Sequence, residues 1–550
     1  MEIKKTCEHC KKEFSITDGE LGMYEKLSIE LPQLCFFCRV SLHFSVWPFG
    51  KFRKAKSDLS GENMITVLSA QQRCPIYTLH EWHSDVWDAM EYGRDYDSTR
   101  PFFDQMKELQ EKIPRPHQGA GNSTDCDWCD DVWNSKNCYL SRSMEECEDL
   151  HYAYRVVRGK NSIDLMFCFD SDSCYDCTYC FNSYNLFYSQ NSRDCMDSYF
   201  LFDCRNCSNC FMCRNLRGKS HCIRNVQYTK EEYAEKMKSL NLTSFQSVEI
   251  FRKQFQEIIK RDVVHRENFN IRANNSEGEY LMDMNNSHNC FGIQFSEECY
   301  NCVRGLTAKT NIDANGCWYA ELMGNSSSCV NAYALKYSSW SSSRFSEYLD
   351  ICNECEYCFG CVGLKKKKYC ILNRQYTKEE YEKLRERIIT DMKSRGEYGL
   401  FFPYSMSPHP YNFSTSYTYF PEKTKEEILA LGGYWEDIDE TRVEGMPTSE
   451  LPDDIRDVPD SITTQALICP VTGWRFNIAQ KELQFYKQKG IPLPRVHFDV
   501  RTKERMKYMT VLVPREHSCI FCKKKMTVYY PETWGYEKIA CIECYQKEVA

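Results

Sequence analysis

Paired C-x2-C turns at both ends, a cysteine-rich self-repeat between them and a capped-helix signal after each copy predict a mainly β fold with helical insertions: a duplicated cysteine-rich β-solenoid flanked by small zinc ribbons. At 550 residues the chain exceeds what one hydrophobic core ordinarily serves, so several units are expected. It is 42% apolar but contains no long uninterrupted apolar run, so no membrane partner is expected. The lysine-bearing start lacks the apolar stretch of a secretory signal. With that start and the repeated C-x2-C spacing, the 34 cysteines are expected to be reduced thiols or metal ligands in the cytoplasm. A net charge of -8 confines any nucleic-acid contact to a local basic patch.

Residues 1–50 read as the first ribbon. Cys7 and Cys10 form one C-x2-C turn and Cys35 and Cys38 a second, with 24 residues between the two turns. Two residues between thiols let one tight turn aim both sulfurs at a single ion, and two such turns complete a tetrahedron. Phe14, Ile16, Leu21, Tyr24, Leu27 and Ile29 supply an apolar cluster too small to fold without the metal. Residues 513–550 repeat the pattern with Cys519, Cys522, Cys541 and Cys544. Four thiolates leave no position for a substrate water, so both sites are expected to be structural; the competing reading is two disulfides per module.

A relic of the first ribbon occupies 466–512. Residues 469–505 align on 7–43 at an offset of 462, so that Phe14, Leu21, Tyr24, Ile29, Leu31, Pro32 and Arg39 recur as Phe476, Leu483, Tyr486, Ile491, Leu493, Pro494 and Arg501. Cys469 is kept, while Thr472, His497 and Val500 stand where the other thiols were, which predicts a metal-free copy.

Between the ribbons lies a duplication, 121–228 and 276–376. Residues 204–233 align on 352–381 at an offset of 148, with 17 of 30 positions identical. Within the first copy a small-x-(Asp/Asn) motif begins at Ser123, Ser135, Cys147, Ser162, Cys174, Ser183, Cys195 and Cys207, in steps of 12, 12, 15, 12, 9, 12 and 12. Aromatic stretches such as 165–169, 186–188 and 199–202 follow and read as short strands. Ser287, Cys299, Asn311 and Cys329 carry the motif more loosely in the second copy. Thr229 and Thr377 each precede a Glu by three residues, predicting helices at 229–275 and 377–398 that cap the repeats. Residues 399–465, rich in Pro and Tyr, read as a wrapping linker.

The repeat could hide chemistry. Cys204, Cys207, Cys210 and Cys213, with Cys352, Cys355, Cys358 and Cys361, could hold zinc or an iron-sulfur cluster, or act as small buried hydrophobes. Residues three apart in a plain strand face opposite sides, which favours the third reading unless the chain turns between them. Arg214, Arg217 and Lys219, with Lys365, Lys366, Lys367 and Lys368, form a basic loop beside each run, readable as a phosphate contact or a solvated turn. His80, Glu81 and His83 lack metal-helix spacing, and Trp82 and Trp87 point to packing.

These residues resemble an uncharacterised family of cysteine-rich, multi-zinc-ribbon proteins from bacteria with reduced genomes. The carriers are Pro32-Gln-Leu-Cys35-x2-Cys38-Arg39, Trp87-Asp88, Tyr92-Gly-Arg-Asp95, Arg100-Pro-Phe-Phe103, the two Gln-Tyr-Thr-Lys-Glu-Glu-Tyr ends, Phe401-Phe402-Pro403 and Cys541-x2-Cys544-Tyr545. The resemblance implies a further ribbon near 52–82, so that 51–120 is a degenerate ribbon plus helix. Ala55, Thr78 and Glu81 would replace its thiols, with Cys74 alone. It implies no activity. The residues therefore predict a non-enzymatic scaffold with two zinc ions, up to four, docking RNA or a nucleoprotein. A protein-only scaffold is the alternative and an iron-sulfur redox enzyme the third reading; no small-molecule substrate is indicated.

Overall fold

The computed structural model describes residues 2–49, 51–316, 320–327, 333–437, 444–509 and 512–549. Contacts gather the chain into two compact units, Met1–Gln118 with Asn268–Asp437 and Gly119–Glu267 with Ile438–Ala550. Strands dominate, with twelve α-helices among the described residues. None of those helices is long and apolar enough to cross a membrane.

The second unit is built on a twelve-stranded sheet running from Ala120–Gly121 to Val226–Gln227. Apart from the closing antiparallel pair Ser220–Ile223 with Val226–Gln227, pairing is parallel and residue i meets residue i+12, as in Asp130↔Arg142, Ile163↔Tyr175, Met196↔Ser208 and Cys210↔Cys222. The local cause is a left-handed residue at every third position from Asn122 to Asn215, which bends the chain each time. From Cys129 to Cys213 the residue after each bend is buried, as Cys174, Cys177, Cys180, Ser183 and Leu186 show. The small-x-(Asp/Asn) motif is therefore an inward small residue followed by a left-handed corner that Asp and Asn tolerate best: Ser162 with Asp164, Cys174 with Asp176, Cys195 with Asp197. The steps of 15 and 9 insert nothing, because the pairing stays at twelve while the motif moves by one three-residue side and back. Where rings take successive corners they stack, Phe167 on Tyr179 at 4.9 Å and Tyr188 on Phe200 at 4.8 Å.

Polar groups inside this ladder are satisfied by the same register. Ser162 Oγ donates to the Lys160 carbonyl at 2.6 Å and accepts the Cys174 N–H at 2.9 Å. Ser189 accepts likewise from Leu201, and Ser198 from Cys210, each at 3.0 Å. Asn and Asp corners also bond along the sheet, as Asn185 does to Asp197 at 2.8 Å.

The first unit contains the matching sheet, Ile271–Asn274 to Arg374–Gln375. Phe291↔Val303 and Cys299↔Asn311 keep the twelve-residue register, but Ile271↔Met282 and Tyr333↔Arg344 step by eleven, so the motif is looser here. Ser287, Cys299 and Asn311 all face inward and are buried; Cys329 lies outside the described residues. Thr229 and Thr377 form capping boxes opening the helices Lys230–Lys238 and Lys378–Ser394. Tyr233 and Tyr381 are buried where these helices meet the ends of their sheets. A further helix, Phe245–Arg261, sets Phe255 against Phe200 at 5.5 Å and Phe251 against Phe211 at 5.2 Å.

Candidate metal centres and their metal-free counterparts

Four ribbon turns occur among the described residues, and all use one backbone pattern. The first residue of each turn donates its N–H to a carbonyl five residues on and accepts the N–H four residues on: Cys7 with Lys12 and Lys11, Ser57 with Glu62 and Gly61, Cys469 with Trp474 and Gly473, Cys519 with Lys524 and Lys523, all at 2.8–3.0 Å. The fifth residue is left-handed in every case, at Lys11, Gly61, Gly473 and Lys523. Each module then ends in a helix preceded by its third ligand position: Cys35 before Phe36–Ser45, Thr78 before Leu79–His83, His497 before Phe498–Met506 and Cys541 before Ile542–Val549.

Two of these modules gather four thiols. Cys7, Cys10, Cys35 and Cys38 form one group, and Cys519, Cys522, Cys541 and Cys544 the other, with the ligand atoms of each within 4.8 Å of one another. Cys10 and Cys35 sulfurs are 3.7 Å apart, as are those of Cys522 and Cys541. A tetrahedral ion with ligand bonds near 2.3 Å sets its sulfurs about 3.8 Å apart, so the thiols present fit such an ion. The Cys38 thiol, donating to Cys35, pulls Cys35 down to about 5 against the effect of burial. Burial opposes ionisation of Cys519 as well, yet the backbone N–H groups of Cys522, Cys541 and Phe521 bring it to about 6.

The other two modules keep the frame and lose the quartet, the first retaining none of its thiols and the relic only Cys469. Ala55 lies in the strand Arg53–Lys56, and the turn positions belong to Ser57 and Ser60. Ser57 Oγ donates to Glu81 Oε2 at 2.5 Å and the Thr78 N–H donates to the same oxygen at 2.8 Å. Burial works against the charge of Glu81, but the Ser57 and Ser60 hydroxyls and the Thr78 amide hold its carboxyl down to about 2. An anion with donors around it thus occupies the place where the thiolate modules would surround a cation. In the relic, burial opposes the Cys469 thiolate while the His497 amide and the Thr472 hydroxyl favour it, for a net lowering.

The signal for Ser57 and Ser60 was present in the chain. The offset of 462 that relates Cys7 to Cys469 also relates Ser57 to Cys519, Ser60 to Cys522, Arg53 to Arg515 and Met64 to Met526. Arg53 Nε donates to the Leu68 carbonyl and Arg515 Nε to the Tyr530 carbonyl, the same bond in both modules.

Each ribbon pair docks on the sheet of its own unit. Arg39, buried, pairs with Asp313 at 2.7 Å and donates to the Leu34 carbonyl, and Tyr24 Oη donates to Asp313 at 3.3 Å. Arg501, its counterpart, pairs with Asp164 at 2.7 Å and donates to the Val496 carbonyl, and Arg505 joins from the next helical turn. Both aspartates are left-handed corners of the sheets. In the C-terminal ribbon Tyr545 Oη meets Asp203 and Arg217.

The internal cysteine runs are successive inward residues of a single twelve-residue step. Cys204, Cys207, Cys210, Cys213, Cys352, Cys355, Cys358 and Cys361 are all buried, because the left-handed residue between neighbours turns each sulfur to the same interior. Their thiols donate to carbonyls, as Cys213 does to Cys222 at 3.5 Å and Cys352 to Cys361 at 3.3 Å. None of the 32 described cysteines is in a disulfide. In the basic loops, Arg217 is held by Asp203 and Tyr545, while Arg214 and Lys219 flank it. Lys365 lies 4.3 Å from the Trp82 ring centre and donates to the Trp82 carbonyl. Lys366, Lys367 and Lys368 pair with Glu354, Asp88 and Glu356. No protein-family profile matches the chain, and no curated protein matches it either.

Proposed function

We propose that the protein is a non-enzymatic cytoplasmic scaffold whose two thiol quartets bind zinc and whose metal-bearing ribbon tips dock RNA or a nucleoprotein. Zinc is the ion that an all-thiolate, closed tetrahedron suits best, and such a site contributes folding energy rather than catalysis. In this reading each twelve-residue ladder is a β-solenoid with four three-residue sides per turn, an extended body that carries the ribbons.

The observation that carries the RNA reading is the composition of the tips. Lys11 and Lys12 follow Cys10, and Lys523, Lys524 and Lys525 follow Cys522; all five are exposed. Beside the second set stand Ile520 and Phe521, 39% and 43% exposed. The metal-free turns have Gly61-Glu62 and Gly473-Trp474 at those places. Lysines there both offset the net negative charge of a zinc bound by four thiolates and suit a phosphate backbone, and Phe521 offers a stacking face. Filter binding of zinc-loaded protein to single-stranded RNA between about 50 and 200 mM salt tests it. Affinity should fall with salt and weaken in a Lys523→Ala, Lys524→Ala, Lys525→Ala variant, whereas salt-independent or undetectable binding to RNA and DNA sinks it.

A protein-only scaffold is the second reading. It is supported by the internal partners of Lys365 to Lys368 and by Tyr333, Phe345 and Tyr357, each more than a third exposed on the first unit's sheet. A partner retained after nuclease treatment would favour it.

A further inference from the structure

The twelve-residue register stacks cysteines on cysteines. Six described pairs result: Cys126 with Cys138, Cys168 with Cys180, Cys195 with Cys207 and Cys210 with Cys222 in the second unit, Cys290 with Cys302 and Cys358 with Cys370 in the first. In five of them both thiols are buried. The exception is Cys126, half-buried in the first step of its sheet, above the buried Cys138.

The bridges Thr124↔Lys136 and Asp127↔Tyr139 flank this pair and hold it in register. Strands neighbouring in a sheet lie about 4.8 Å apart, within the roughly 4.4–6.8 Å that a disulfide spans between Cα atoms. Cys126 Sγ now donates to the Thr124 carbonyl at 3.3 Å and Cys138 Sγ to the Lys136 carbonyl at 3.4 Å, so both side chains point the same way. Cys126 also occupies the position that serine takes lower in the sheet, where Ser162 accepts the N–H twelve residues on. By that register the N–H of Cys138 points at the Cys126 sulfur, and the Cys138 thiol, rotating away from the Lys136 carbonyl, is the second donor available to the ionised sulfur. Together they lower Cys126 to about 7, against burial and the nearby Asp125 and Asp127.

We propose that Cys126 and Cys138 are an oxidisable dithiol that closes to a disulfide on reaction with a peroxide. The Cys126 thiolate attacks one peroxide oxygen; the S–O bond forms, the O–O bond breaks, and with one proton the leaving oxygen departs as water, giving the sulfenic acid. The Cys138 sulfur then attacks Cys126; the S–S bond forms, the S–O bond breaks, and the Cys138 proton leaves with the hydroxyl as a second water. Two thiols are oxidised by two electrons and one peroxide is reduced to two waters. The product staples the first two steps of the sheet, at its half-exposed end.

The test uses full-length, zinc-loaded protein exposed to hydrogen peroxide, then alkylated in denaturant and mapped by mass spectrometry without reduction. A Cys126–Cys138 cross-linked peptide, lighter by two hydrogens, is expected. Cys138→Ser should leave Cys126 trapped as a sulfenic acid that a 1,3-dione probe labels, and Cys126→Ser, which preserves the accepting oxygen, should leave Cys138 fully alkylated. Both variants should melt like the parent. Free Cys126 and Cys138 after peroxide, or Cys126 joined to Cys129 instead, overturns the proposal.

Discussion

A carboxylate that accepts from Ser57 Oγ and from the Thr78 N–H cannot be removed without orphaning those donors in a buried turn. We expect Glu81→Ala to cost about 2–4 kcal/mol, read by thermal or denaturant melts. Glu81→Gln, which keeps the shape but not the charge, should cost about half as much. Buried histidines weaken the fold in acid. Desolvation lowers His43 to about 3 and His151 and His265 to about 4, from 6.5. Folded, each stays neutral; unfolded, each takes up a proton below pH about 6.5. The unfolded chain therefore binds more protons than the folded one between about 4 and 6.5, and stability falls as pH drops through that window. Glu81 adds nothing there, since its stabilising effect is fully present above about 4.5 and is lost only as pH falls toward 2. Burial raises Asp130 to about 6 and Glu145 to about 7, which works the other way in the same window, so the histidine part is read by difference. Between pH 6.5 and 5 the denaturant midpoint of a His151→Gln, His265→Gln variant at saturating zinc should fall less than that of the parent; parallel profiles would show these histidines to be solvated.

The ribbon helices are fastened by arginine to aspartates at the corners of the sheets. Asp164 answers both Arg501 and Arg505, and all three are nearly inaccessible to solvent. Asp164→Ala leaves Arg501 without its carboxylate in a buried site, so a loss of about 3–5 kcal/mol is expected. Limited proteolysis within 444–509 should accelerate in that variant, while replacing Asp164, Arg501 and Arg505 together by apolar residues should restore much of the stability. Arg39 and Arg501 recur at the offset of 462, and that much is readable in the chain. Their partners are not: Asp313 lies 274 residues from Arg39 and Asp164 lies 337 from Arg501, with no local motif to link them. The same limit explains Ala55, since a strand residue and a turn residue two apart differ only in the backbone bonds each makes.

Across the whole molecule, metal dependence should be uneven. Elemental analysis should find about two zinc ions per chain, one for each four-thiolate group. Chelation should raise hydrogen exchange in 2–49 and 512–549 while the two sheets, the Glu81 module and the Cys469 module keep their protection. Four ions per chain, or collapse of all modules together, would contradict this.

Short-range spacing placed the eight quartet thiols in two groups, the capping threonines at their helices and the twelve-residue period in the repeat. Such features depend on a few adjacent residues and their backbone preferences, which any reader of the chain can weigh. Tertiary structure alone decided that successive cysteines in the repeat share one interior, because that follows from a left-handed residue at every third position rather than from residue type. It also decided that Met1–Gln118 packs with Asn268–Asp437, and Ile438–Ala550 with Gly119–Glu267. Those choices rest on buried ion pairs and ring contacts between residues hundreds apart, where complementarity in space has no counterpart in sequence order.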